Sequence, residues 1–213
     1  MAGLSAHRDS NHTEFTEEIR MNSSSTFVTR GAGALALLAA SGSALAHPGL
    51  QEAGAVSAFM HPFSGLDHLL AMLAVGAWAA SGQRQARALP IVFIAGALLG
   101  VVPAVLGIAL PALESMLAAS VLALGLVLMA RRGLSAAAAL MLTAVIGAWH
   151  GNAHGLEIPG LPGLAPLGAF VAGTALLHLA GYAAGARLRA LAPCGLRLAG
   201  SVLAVCGGWL LVA

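Results

Sequence analysis

The sequence predicts an all-α, polytopic membrane helix bundle of about six transmembrane helices, following a cleaved signal peptide. Three observations predict it. Of 213 residues 59% are hydrophobic and 8% charged, with a mean hydropathy of +0.88, whereas an ordinary soluble domain is about a quarter charged. The apolar residues beyond His47 fall into six runs close to the length of a bilayer span. Arginines occupy only alternate connections between those runs, which is the pattern of a chain that crosses a membrane repeatedly.

In chain order, residues 1–20 are polar and acidic (Asp9, Glu14, Glu17, Glu18). From Met21 the pattern changes. Arg30 supplies a positive n-region, Gly31 to Ala40 an apolar h-region, and Ala44-Leu45-Ala46 a small-x-small cleavage site. Residues 1–46 therefore read as an N-terminal extension plus signal peptide, with translation starting at Met21 and a mature chain starting at His47. The remainder, 47–213, is one six-helix membrane domain. Its expected spans are Ser64 to Ala80, Ala88 to Leu110, Ala112 to Ala130, Leu134 to His150, Leu164 to Ala186, and Leu196 to Ala213. Ser81-Gly82-Gln83-Arg84, Pro111, Arg131-Arg132-Gly133, the stretch from Gly151 to Gly163, and Arg187 to Gly195 separate them.

Arg84 and Arg87 follow the first span, Arg131 and Arg132 the third, and Arg187, Arg189 and Arg197 surround the fifth connection. The positive-inside rule then puts both the mature N-terminus and the C-terminus outside the cytoplasm. All ten basic residues are arginines and the net charge is +2, with no basic cluster beyond Arg131-Arg132, so no nucleic-acid surface is expected. Cys194 and Cys206 form no CxxC pair and read as packing residues. No GxxxxGK[ST] loop occurs, which argues against ATP hydrolysis by this chain. Gly96 with Gly100 and Gly181 with Gly185 offer small-xxx-small faces for close helix contact.

Two segments carry ionisable residues inside apolar surroundings, where such groups are costly and mark ion or proton pathways. The first contains His61, Asp67 and His68, the second His150, His154 and Glu157. The topology sends both to the outer face. If helix continues past Gly151, His150, His154 and Glu157 lie at i, i+4 and i+7 on one helix face. Pro62 and Gly65 permit an irregular entry that aims His61 and His68 together. Imidazole with carboxylate suits divalent nickel, cobalt or zinc better than magnesium or calcium. His178, within the fifth span, reads as a relay station, with Thr174 and Tyr182 at i−4 and i+4 placed to hydrogen-bond its ring. Met60, Met72 and Met116 are expected to be lipid or packing contacts, and Glu52 and Glu114 to be solvated at the outer surface. Gly-Ala-Trp occurs at Gly76 to Trp78 and again at Gly147 to Trp149, the kind of trace an inverted repeat of spans one to three and four to six would leave.

The runs HPFSGLDHLLAM (His61 to Met72), HGNAHGLE (His150 to Glu157) and TALLHLAGY (Thr174 to Tyr182) resemble the HupE/UreJ family of membrane metal permeases, as does His47-Pro48-Gly49 after a signal peptide. The resemblance spans essentially everything from His47 onward. It implies a six-span permease of the bacterial inner membrane that imports nickel, or in some members cobalt, for hydrogenase or urease maturation. The metal-handling residues it implies are His61, Asp67, His68, His150, His154 and Glu157, followed by His47 and His178. Asn152 stands where many relatives carry a further histidine. The expected partners are the divalent ion and the lipid bilayer, with no permanently bound cofactor; the ion is cargo, Ni2+ with Co2+ or Zn2+ as alternatives. Because neutral imidazole is the ligand form, uptake is expected to weaken as pH falls through roughly 6.5. Two other classes use the same residues: a membrane-embedded zinc hydrolase with Ser64 nearby, and a haem-binding bundle, which a Soret band would reveal.

Overall fold

The computed structural model describes residues 54–213 apart from 131, 132, 159 and 162. The signal peptide, Met21, His47, Glu52 and Arg131-Arg132 lie outside the described residues. The described chain is helical and, among the described residues, contains no strand. Its seven α-helices are α1 (Ala55–Met60), α2 (Leu66–Ala79), α3 (Leu89–Val105), α4 (Leu113–Met129), α5 (Ala136–Glu157), α6 (Leu164–Leu191) and α7 (Gly195–Leu210). The segment Arg84–Val105, α5 and α6 are each long and apolar enough to cross a membrane, while α2, α4 and α7 are shorter apolar helices. This is an all-α membrane helix bundle.

The helices differ from the expected spans at four ends. The first span is a broken helix: α1 leads through a 3-10 turn at His61–Phe63, then stops at Ser64 and Gly65 before α2 begins. Pro62 sits near the start of that turn, where its missing N–H costs no hydrogen bond. The second span ends at Val105 rather than Leu110, since Gly107 takes φ +72°, the left-handed region in which glycine pays no steric penalty. The fourth continues through Gly151 to Glu157 instead of stopping at His150. The fifth runs on to Leu191.

Three close helix pairs hold the bundle together, and glycine makes each approach possible. Between α3 and α5, a Cβ on Gly96 or Gly100 would meet the carbonyl oxygen of Ala144 or Ala148, and one on Gly147 or Gly151 that of Phe93 or Ala97. Between α2 and α6, Gly76 lies against the His178 carbonyl and Gly181 against that of Leu73. Between α4 and α7, Gly125 meets the Ala204 nitrogen and Gly207 the Leu122 nitrogen. In lipid, where apolar side chains gain nothing from leaving the solvent, such backbone proximity is what drives helices together. Gly96, Gly100, Gly181 and Gly185 thus pack as expected. Both cysteines are free.

Candidate metal centre

The broken first span and the C-terminal end of α5 meet at one end of the bundle. The α3–α5 contact at Gly151 lets α5 run on as a helix, which carries His150, His154 and Glu157 along one face. Opposite them, the 3-10 turn carries His61 and the first turn of α2 carries Asp67 and His68. Asp67 is at the helix N-terminus, where the peptide dipoles favour a negative charge.

The contacts form a continuous series. The His61 Nε2–H donates to Glu157 Oε2 at 2.9 Å, and the His61 and His154 rings meet edge to face at 5.1 Å between centroids. One ligand atom from each of His61, His154 and Glu157 lies within 4.8 Å of the others, a spacing that can hold a metal ion. The His154 ring then touches His68 at 4.4 Å, and His68 touches His150 at 5.0 Å. Only the outer end of the series is exposed. The side chains of Glu157 and His61 are 47% and 27% exposed, His68 is buried, and His150 and His154 are at 0%.

Two of the imidazoles have their tautomers set by hydrogen bonds. Asp67 Oδ1 accepts from both the ring Nδ1–H and the backbone N–H of His68, each at 2.8 Å. The Ile146 carbonyl accepts from His150 Nδ1–H at 2.9 Å. In both residues the Nε2 lone pair is left buried without a partner, as are both ring nitrogens of His154. Buried polar atoms are ordinarily hydrogen-bonded. Four unpartnered imidazole nitrogens on three touching residues suit a ligand that accepts lone pairs.

His178 lies farther along. It does not join the cluster directly: Phe93, fully buried, stands between, at 5.4 Å from His150 and 5.1 Å from His178. The expectation that Thr174 and Tyr182 bond the His178 ring is corrected. Both ring nitrogens and the Thr174 hydroxyl lack partners, and Tyr182 is half exposed. Phe93 escaped the sequence reading because a phenylalanine in an apolar helix carries no distinguishing signal. Met72, one turn past His68, is buried in the core, and Glu114 is exposed.

Asn152 has a structural task. Its amide donates to the Gly100 and Ile108 carbonyls at 3.2 and 3.0 Å, and its Oδ1 accepts from the Leu110 N–H at 2.8 Å. It therefore fastens the chain leaving α3 to the site-bearing end of α5.

Fold and site together define a polytopic α-helical membrane protein with a buried histidine–carboxylate cluster at one end. The family model described as HupE / UreJ protein matches residues 35–210. Protein HupE of Rhizobium leguminosarum bv. viciae is 36% identical over 181 residues, covering 84% of this chain and 95% of that relative. No solved structure matches. The chain belongs to the HupE/UreJ family.

Proposed function

We propose that this protein is a secondary transporter, not an enzyme, that carries a divalent transition metal, nickel first and cobalt or zinc as alternatives, across the bacterial inner membrane for hydrogenase or urease maturation. One observation carries this reading: the unbroken series of touching imidazoles from half-exposed His61 and Glu157 to buried His150. His61, His154 and Glu157 receive the ion, which takes the place of the Nε2 proton between His61 and Glu157, the His61 imidazole then carrying its proton on Nδ1. His68 and His150 offer the next nitrogens, with Asp67 neutralising part of the charge. His178 is the station beyond Phe93, and His47 joins the ligand set on the family resemblance alone. The Glu157 end faces outward and the arginine-bearing end the cytoplasm, in keeping with the positive-inside rule.

Neutral nitrogen and a few carboxylates give moderate affinity, which transport needs, because a closed four-ligand cage would retain its ion. The ion is substrate, and no resident cofactor is required. The test is radiolabelled nickel uptake into proteoliposomes. His154→Ala is expected to abolish most uptake, since His154 touches both His61 and His68. Uptake at the wild-type rate would overturn the assignment.

A further inference from the structure

The three glycine-mediated helix pairs obey one symmetry. Gly76 abuts the carbonyl of His178, and Gly147 abuts that of Phe93; Gly181 abuts Leu73, and Gly96 abuts Ala144; Gly185 abuts Ala77, and Gly100 abuts Ala148. A single sequence offset carries Gly76 to Gly147, Leu73 to Ala144 and Ala77 to Ala148. Another carries Phe93 to His178, Gly96 to Gly181 and Gly100 to Gly185. The α4–α7 pair maps onto itself, since Gly125 meets the nitrogen of Ala204 and Gly207 meets that of Leu122. Helices α2 to α4 are thus equivalent to α5 to α7. Three helices per half make the second half run in the opposite direction through the bilayer, an inverted repeat. Phe93 and His178, in contact with each other, are equivalent residues and lie at its centre.

The same operation relates the α4 and α7 walls of two cavities. One, of about 200 Å³, opens beside the histidine cluster between Asp67, Glu114, Ser115 and Leu210. The offset relating α4 to α7 turns Glu114, Ser115 and Leu210 into Leu196, Arg197 and Leu128. Those three residues line the second cavity, of about 420 Å³ at the opposite end, together with Ser81 and Gln83. The two differ in charge. The acids after Glu52 are Asp67, Glu114 and Glu157, all at the first end, whereas Arg84, Arg87, Arg189 and Arg197 are at the second.

We propose that the Ser81–Gln83–Arg197 cavity is the release mouth of the ion pathway, the counterpart, through its α4 and α7 lining, of the Asp67–Glu114 cavity beside the residues that receive the ion. This rests on the transporter reading above. Asp67 and Glu114 concentrate a cation at the first cavity, and a lining of glutamine, serine and a guanidinium with no carboxylate among the described residues at the second speeds its departure. The equivalence of the halves supplies the motion: each can adopt the packing its mate shows, which closes one mouth while opening the other.

The experiment uses the full chain with Cys194→Ser and Cys206→Ala as parent, reconstituted in vesicles, adding Gln83→Cys or Ser115→Cys singly. A bulky membrane-impermeant thiol reagent is expected to reach Ser115→Cys from one side and Gln83→Cys only from the other. Labelled Gln83→Cys should lose most Ni2+ flux relative to its unlabelled form while calorimetric Ni2+ affinity is unchanged. Ser81→Cys, on the same cavity, answers the question if Gln83→Cys folds poorly. Labelling of both positions from one side, or labelled protein carrying Ni2+ as fast as unlabelled, would overturn the release mouth and leave the transporter reading intact. Wild-type protein that moves none of Ni2+, Co2+ and Zn2+ would overturn both.

Discussion

In the proposed site Asp67 acts on the ion through His68. By accepting both the ring Nδ1–H and the backbone N–H of His68, its carboxylate fixes that imidazole's tautomer and holds the ring against His154 and His150. Asp67→Asn keeps the acceptor oxygen and removes the charge. Its Ni2+ affinity, read by calorimetry, is therefore expected to fall about 10–100-fold, the usual effect of losing such a partner. Phe93 calls for a different substitution, because it bonds nothing and merely stands between His150 and His178. An apolar ring in an ion path resists the passage of a hydrated ion. Phe93→Leu should raise Ni2+ flux several-fold and Phe93→Trp should lower it, both with wild-type affinity at the cluster. Equal flux in all three would remove Phe93 from the path. His61, His68, His150, His154 and His178 were visible in the sequence because an ionisable group in an apolar run is conspicuous by composition. Phe93 was not, since lipid-facing, core and gating phenylalanines look alike until their neighbours are known.

At the level of the helix, the site depends on α5 remaining helical through two glycines and an asparagine, a stretch whose composition suggests a break. Helix persists because Gly151 touches the backbone of Ala97, and because Asn152 spends its polar groups on Gly100, Ile108 and Leu110. The i, i+4, i+7 spacing stated the consequence of a continuing helix, yet only the α3 contact could decide that it continues. The early end of α3 was equally hidden. Hydropathy measures transfer into lipid, and residues 106–110 are apolar, but the left-handed turn at Gly107 and the hold of Asn152 take them out of the helix. Gly151→Leu tests the dependence. Its side chain would collide with the Ala97 carbonyl, and overpacking of this kind costs about 1–3 kcal/mol. The expected result is a lower unfolding temperature in detergent, together with a loss of nickel binding larger than the stability change alone explains, because His150 and His154 shift with the helix.

Across the whole molecule, the cluster joins parts of the chain that otherwise meet through few elements. His61, Asp67 and His68 belong to the broken first span, which packs on α6, whereas His150, His154 and Glu157 belong to α5, which packs on α3. An ion held by both sets ties two helix pairs that the inverted repeat would move against each other. Binding to the folded state alone stabilises it by about 2.7 kcal/mol at a ligand concentration 100 times Kd. Ni2+ at that excess should therefore raise the unfolding temperature measurably, and Mg2+, which prefers oxygen ligands and keeps its waters, should not. His154→Ala should erase the shift. A stabilisation by Ni2+ that survives His154→Ala would mean that the ion binds elsewhere, and the cluster would lose its claim to be the point where the two halves of the repeat are coupled.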